Sequence, residues 1–368
     1  MNARERFRKT FDFEKTDRPF RWETPGAWAA TIQRWKEEGF DKPAGVRFPD
    51  FFGMDEMKWL PFKGGWTGNP YEPMFETKIL EDDGVNVTML DRYGIVKKER
   101  KVNPETSMPQ FLEFPVKSID DFREKILPRF EPDSPERFPD DWSELIEEYK
   151  DRQYPLGMFI IGPFGFLRNL LGDEELMYMI FDDPEAINEM MFVWENFYKT
   201  FIRRVCMDVV PDFVMIWEDI CYSNGPLVSP SAFNEFMAPG LKKIISVMKE
   251  CNIKGIVVDT DGDCTKMLPI YIDCGANGFY PFEVQAGMDI VKLRQEYGRS
   301  FVIIGGLNKK LLALSKEATK EEVDLKVPYM LEQGGYIPML DHTVPPDVPY
   351  DTFRYFISYV REVSEKVR

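Results

Sequence analysis

The sequence predicts a (β/α)₈ barrel built as one domain over residues 1–368, with irregular N-terminal elaborations across residues 1–150. Three observations carry this. From residue 155 onward, short apolar runs alternate with stretches of helical period, the pattern of a parallel sheet covered by helices. At least five of the apolar runs end in acidic, histidine or glycine residues, as expected when all strands point at one site. No G-x-G-x-x-G follows an early strand, which removes the main signature of a doubly wound sheet.

DRPFRWE (17–23) predicts a short strand leaving a charged helix, and AWAATIQRWKEEGF (27–40) a helix ending at Gly39. VNVTMLDRYGIVKKER (85–100) alternates around Asp91 and Gly94 and predicts a β-hairpin. Residues 104–139 carry seven prolines and read as an extended loop with short helices. PLGMFIIG (155–162) is a buried strand by its apolar run. Asp183-Pro184 opens a helix, with aspartate as N-cap and proline in the first position. Its Ile187, Met190, Met191, Trp194, Tyr198, Phe201 and Val205 fall on one face. DFVMIWED (212–219), KGIVVDTDGD (254–263), GFYPFE (278–283), SFVIIGG (300–306) and GYIPMLDH (335–342) read as strands. Helices are expected from Ser229-Pro230 and over 288–297, 320–333 and 350–366.

Composition narrows the partners. A formal charge of −16 argues against nucleic acid and anionic membrane, which need a basic face. No run of 18 apolar residues exists, so no transmembrane helix is expected, and MNARERFRKTF has no apolar stretch behind it, so no signal peptide is expected. Five cysteines with no CxxC pair read as reduced thiols in a cytoplasmic protein. Substrate identity and oligomeric state leave no mark in the sequence.

The strand ends offer Glu218 and Asp219, then Asp259, Asp261 and Asp263, then Glu283, then Asp341 and His342. His342, the single histidine, follows an apolar strand and precedes TVPPDVPY, which pins the chain. A neutral imidazole there can ligate a metal, accept a proton or donate a hydrogen bond. A lone histidine is also commonly a satisfied structural residue. Asp259 and Asp261 lie at i and i+2, hence on one side of a strand. With His342 they can bind a metal, share a proton, or merely cap backbone N–H groups. Glu218, Glu283, Tyr280 and Trp217 are candidates for holding a ligand, as is Arg21 from the first strand. Phe164 is a candidate apolar wall, and Asp341 either contacts the ligand or caps its loop.

GPFGFLRNLLG, DTDGD, GFYPFEVQAGMD, IIGGLNK and GGYIPMLDHTVPPDVPYDTF resemble the uroporphyrinogen decarboxylase superfamily, most strongly from residue 155 to the end. The resemblance implies a (β/α)₈ barrel and two kinds of chemistry, porphyrinogen decarboxylation and corrinoid-dependent methyl transfer. The decarboxylase pattern has an arginine-bearing M-R-Q-A-G-R segment. DRPFRWETPGAW stands there instead, with Arg21 but not the motif. His342 matches the histidine of that pattern's G-H-G. In the coenzyme M methyltransferases, zinc is held by an H-x-C pair and a later cysteine, and the matching positions here are Asp259, Asp261 and His342. Thiolate ligands are therefore lost, leaving either a harder metal site, with zinc among the possible ions, or a metal-free acid group. The resemblance thus implies a methyltransferase (an O-demethylase component in kind) moving a methyl group between a small methylated compound, such as an aryl methyl ether, and a corrinoid protein. In that reading His342, Asp259, Asp261 and Glu218 are catalytic, and Glu283, Tyr280, Arg21, Phe164, Trp217 and Asp341 bind substrate. The alternatives are a decarboxylase or lyase acting on another small carboxylic acid, and a non-catalytic binding barrel.

Overall fold

The computed structural model describes residues 1–23, 26–62, 70–102 and 108–367. Seven strands lie side by side in chain order: β1 (Lys58–Trp59), β2 (Leu156–Ile161), β3 (Phe213–Trp217), β4 (Gly255–Thr260), β5 (Gly278–Pro281), β6 (Val302–Ile304) and β7 (Tyr336–Ile337). Every pairing is parallel. Parallel neighbours need crossovers, and helices such as Pro184–Asp208, Ala238–Glu250, Ile290–Tyr297 and Lys316–Gln333 supply them. The helix expected at Asp183-Pro184 forms with the Asp183 side chain accepting from Ala186 N–H.

The strands present two faces of opposite fate. Val214, Ile216, Ile256, Val258, Phe279, Ile303 and Tyr336 pack outward with the helices. Phe213, Met215, Val257, Tyr280, Val302, Ile304 and Ile337 turn inward and share a cluster with Phe20 and Trp22. Residues 20–23 touch both edges of the sheet. Trp22 lies 6.5 Å from Trp59 by ring centroids, and the Glu23 carboxyl accepts from Leu340 N–H at 3.3 Å. A sheet whose two edges meet one short segment is curled. The helix Ala3–Phe11 closes its lower end. Gly255 and Gly278 begin their strands, and a methyl on either would come within 3.0 and 3.2 Å of the Phe11 ring. Buried Asp212 ties this helix down, accepting from Arg4 Nε at 2.9 Å, Arg8 Nη1 at 3.0 Å and Arg152 Nη2 at 3.0 Å.

Three expectations need correction. Residues 17–23 join no ladder: Pro19 has no N–H to donate, and Arg21 instead exchanges its N–H and C=O with the Asp55 carboxylate and Asp55 N–H. The last strand is cut to Tyr336–Ile337 by Pro338, with one further bridge between Leu307 and Leu340. The hairpin expected at 85–100 forms from Asn86–Leu90 and Val96–Arg100, but as the middle of a four-stranded antiparallel sheet with Lys78–Asp82 and Gln110–Glu113. That fourth strand falls in the proline-rich stretch read as loop, part of which (103–107) lies outside the described residues. Among the described residues, no helix is long and apolar enough to cross a membrane, and the five cysteines are free thiols.

Phe213 is the hub of the inner layer. It lies 4.9 Å from Phe7, 5.0 Å from Trp59 and 5.9 Å from Trp22 by ring centroids, in space left by Gly157. Replacing Phe213 with Ala is expected to cost about 3–5 kcal/mol of unfolding free energy, checked by urea denaturation.

Candidate active site at the strand ends

Alternation along β4 aims its last residues. Val257 faces inward, so Asp259 does too. The chain then turns at Gly262, whose φ is +75° and where a methyl would meet Cys221 O at 2.5 Å. This places Asp261 over the mouth. On β5, Tyr280 faces inward, and the chain turns through Phe282, at φ +63°, to bring up Glu283. His342 arrives after β7. One ligand atom each from Asp261, Glu283 and His342 lies within 4.8 Å of the other two, so Glu283 joins Asp261 and His342 where Asp259 was expected. His342 Nε2 is 3.2 Å from Asp261 Oδ2. Glu283 accepts from Gly262 N–H at 3.1 Å and from Lys309 Nζ at 3.4 Å. Lys309 closes the IIGGLNK run but carried no signal of its own beyond that string.

Burial and like charge work together on the acids. Burial, then the Asp261 and Asp219 charges, push the Asp259 carboxyl well above its usual range. Burial also raises Asp219, although Arg168 Nη2 binds it at 2.9 Å. Glu23, with only the long Leu340 bond, is raised well above its range by burial. The Tyr280 phenol is pushed up by burial and then by Asp259, Asp261, Glu23 and Glu283. Burial alone would lower His342, but its hydrogen bond to Asp261 and that residue's charge outweigh it and raise the imidazole. Burial and like charge thus both favour a proton, or a bound cation, among these acids.

The other expected residues lie outside this group of three. Glu218 has the outward parity of Val214 and Ile216. Its Oε2 accepts from Phe164 N–H at 3.0 Å and Gly165 N–H at 3.1 Å, at the start of helix Pro163–Leu171, and Oε1 accepts from Tyr271 at 3.1 Å. Phe164 is fully buried in the outer core. Trp217 ends β3 under the Arg168 guanidinium, 5.2 Å from the ring centroid. Asp341 is fully buried and caps two loops, accepting from Val284 N–H and Lys309 N–H, each at 3.0 Å. Arg21 turns away from the mouth toward the helix Tyr350–Lys366.

Burial pushes Glu218 up to about 8, with the three donors opposing it only in part. Its folded value thus exceeds its unfolded one, so the folded state binds the extra proton. This contribution is fully present below the ordinary carboxyl pKa of about 4.3 and is lost as pH rises through about 8. Glu218→Gln is expected to flatten that decline, by a few kcal/mol on the order of magnitude, in urea denaturation compared at pH 5.5 and 8.5.

Residues 102–363 match the family model for uroporphyrinogen decarboxylase (URO-D). Over 188 residues the chain is 31% identical to a uroporphyrinogen decarboxylase from a Nitratiruptor species, covering 51% of this chain and 52% of that protein. A uroporphyrinogen decarboxylase from Vesicomyosocius okutanii is 24% identical over 194 residues, 52% of this chain and 53% of that one. The matches thus span about half the length of these curated relatives. A methyltransferase from Methanosarcina mazei shares the fold, with TM-score 0.62 and 14% identity over 98% of this chain and 99% of that one. With well over half its length in the family model, the chain belongs to the uroporphyrinogen decarboxylase family.

Proposed function

We propose that this protein is a methyltransferase that moves a methyl group between a small methylated compound and the corrinoid of a partner protein docked at the strand ends. In this reading residues 20–23 occupy the eighth position of a closed barrel. The observation that supports it best is the sign of the mouth. Asp219, Asp259, Asp261 and Glu283 gather there, while the cations nearby are committed, Arg168 to Asp219 and Lys309 to Glu283. A polycarboxylate such as a porphyrinogen needs free guanidinium groups, and Arg21 faces the other way.

Methyl transfer leaves a heteroatom that needs a proton or a Lewis acid. Asp261, Glu283 and His342 form an oxygen, oxygen and nitrogen donor set that fits a hard or borderline divalent cation, zinc included. A thiolate-rich site does not fit, because Cys264 is buried and burial pushes its thiol up. When bound, the ion would polarise the leaving heteroatom. The chain's own residues do the rest. Gly262 N–H and Lys309 fix Glu283, and Asp261 orients the imidazole. Burial favours the protonated forms of Asp259 and Tyr280, which lie beneath. Glu218 acts by positioning, holding helix Pro163–Leu171 against β3. An aryl methyl ether would have the Tyr280 ring as its aromatic contact at the mouth. The names of the curated relatives favour a second reading, decarboxylation of a smaller acid.

The test is methylation of a reduced corrinoid protein by a panel of methyl ethers, amines and thioethers, followed by the cobalt absorption spectrum. Transfer from one class is expected, with His342→Ala and Asp261→Asn each slowing it by about 10²-fold or more. Full transfer by His342→Ala, or release of carbon dioxide from a porphyrinogen, would contradict the proposal.

A further inference from the structure

A second pocket lies on the outer side of residues 18–23, against the helix Tyr350–Lys366. Alternation builds it as it builds the mouth. Phe20 and Trp22 enter the barrel interior, so Arg21 between them is turned out. Met54, Pro338, Phe356, Ile357 and Val360 make the walls almost wholly apolar. Three arginines, Arg18, Arg21 and Arg361, line the same space.

Their charges are unequally answered. Arg18 is paired, with Nη1 and Nη2 on the Asp55 oxygens at 2.6 and 2.7 Å. Asp55 also accepts from Arg6 Nη1 at 3.0 Å and Arg21 N–H at 2.8 Å, so its acceptor sites are taken. Among the described residues, Arg361 reaches only the main-chain carbonyls of Phe52 and Gly53. The Arg21 guanidinium has no hydrogen-bond or carboxylate partner among the described residues. Glu23 faces Leu340 N–H, and Glu365 is exposed at the rim. A chain of net charge −16 thus keeps two guanidinium groups, Arg21 and Arg361, without a carboxylate hydrogen bond among the described residues and beside an apolar wall. Burial lowers the Arg21 pKa, followed by the Arg18 and Arg361 charges, with Asp55 and Glu365 opposing.

We propose that this pocket binds a small monocarboxylate with a short apolar tail, its carboxylate on Arg21 and its tail against Phe356, Ile357 and Val360. A guanidinium takes a carboxylate through two parallel N–H bonds, which satisfies the donors Arg21 leaves unused. A neutral molecule would leave them unmade, and an inorganic anion would leave the apolar wall without contact. The acids at the mouth, Asp219, Asp261 and Glu283, outnumber the two cations paired with them, Arg168 and Lys309, so the mouth does not favour the same anion. The pocket is separate from the proposed methyl-transfer chemistry and stands or falls without it.

Isothermal titration of the full chain with butyrate at pH 7 and low salt tests this, with butyramide and phosphate as controls. Saturable binding of one butyrate is expected, at least tenfold tighter than either control. Arg21→Met and the space-filling Val360→Trp should each weaken it at least tenfold, Arg21→Lys should restore part of it, and His342→Ala should leave it unchanged. If Arg21→Met does not fold, Val360→Trp decides. No saturable binding, equal binding of butyramide or phosphate, unaltered binding in both pocket variants, or loss in His342→Ala would overturn the proposal.

Discussion

Two-residue alternation along curled parallel strands decides which side chains meet at the mouth. Each strand has one face against the helices and one on the inner side of the curled sheet, and neither face can be exchanged without turning apolar residues into the wrong layer. Phe213 anchors this register from below. It fills the space that Gly157 leaves, and its contacts with Phe7, Trp22 and Trp59 bind β3 to the first helix, the 20–23 segment and β1. With Val257 inward above that layer, Asp259 is committed inward as well, and Tyr280 follows on the next strand.

Electrostatics then follows from position. Acids placed above an aromatic layer lose water and gain like-charged neighbours, and both effects favour protonation. Two arrangements relieve this. Burial favours a proton at Asp259 and Glu23, and partners relieve it at Asp219 and Glu283, through Arg168 and Lys309. The Asp261–His342 pair stands between these cases, because the imidazole can hold a proton or give it up to a cation.

Much of this was legible in the residues. Strand and helix order from 155 onward, the N-cap at Asp183 and the convergence of Asp259, Asp261, Glu283 and His342 all follow from apolar runs and their polar ends. What was less legible turns on parity and on long-range bonding. Glu218 ends an apolar run as Asp259 does, but one step of parity sends it to the outer face of the sheet to cap a helix. Arg21 sits between Phe20 and Trp22, a signal that it faces outward, yet without knowing that both aromatics belong to the interior it reads as a mouth residue. Lys309 and the strand Gln110–Glu113 are set by partners distant in sequence, Glu283 for the first and Val96–Arg100 for the second, and local pattern does not encode either.

The central claim is that the mouth is built around an oxygen and nitrogen donor set rather than a thiolate one. Calorimetric titration of the metal-stripped chain with zinc and with manganese tests it most directly. One divalent ion per chain is expected, lost in His342→Ala and in Glu283→Gln and retained in Cys264→Ser. Binding abolished by Cys264→Ser, or left intact by both His342→Ala and Glu283→Gln, would contradict it.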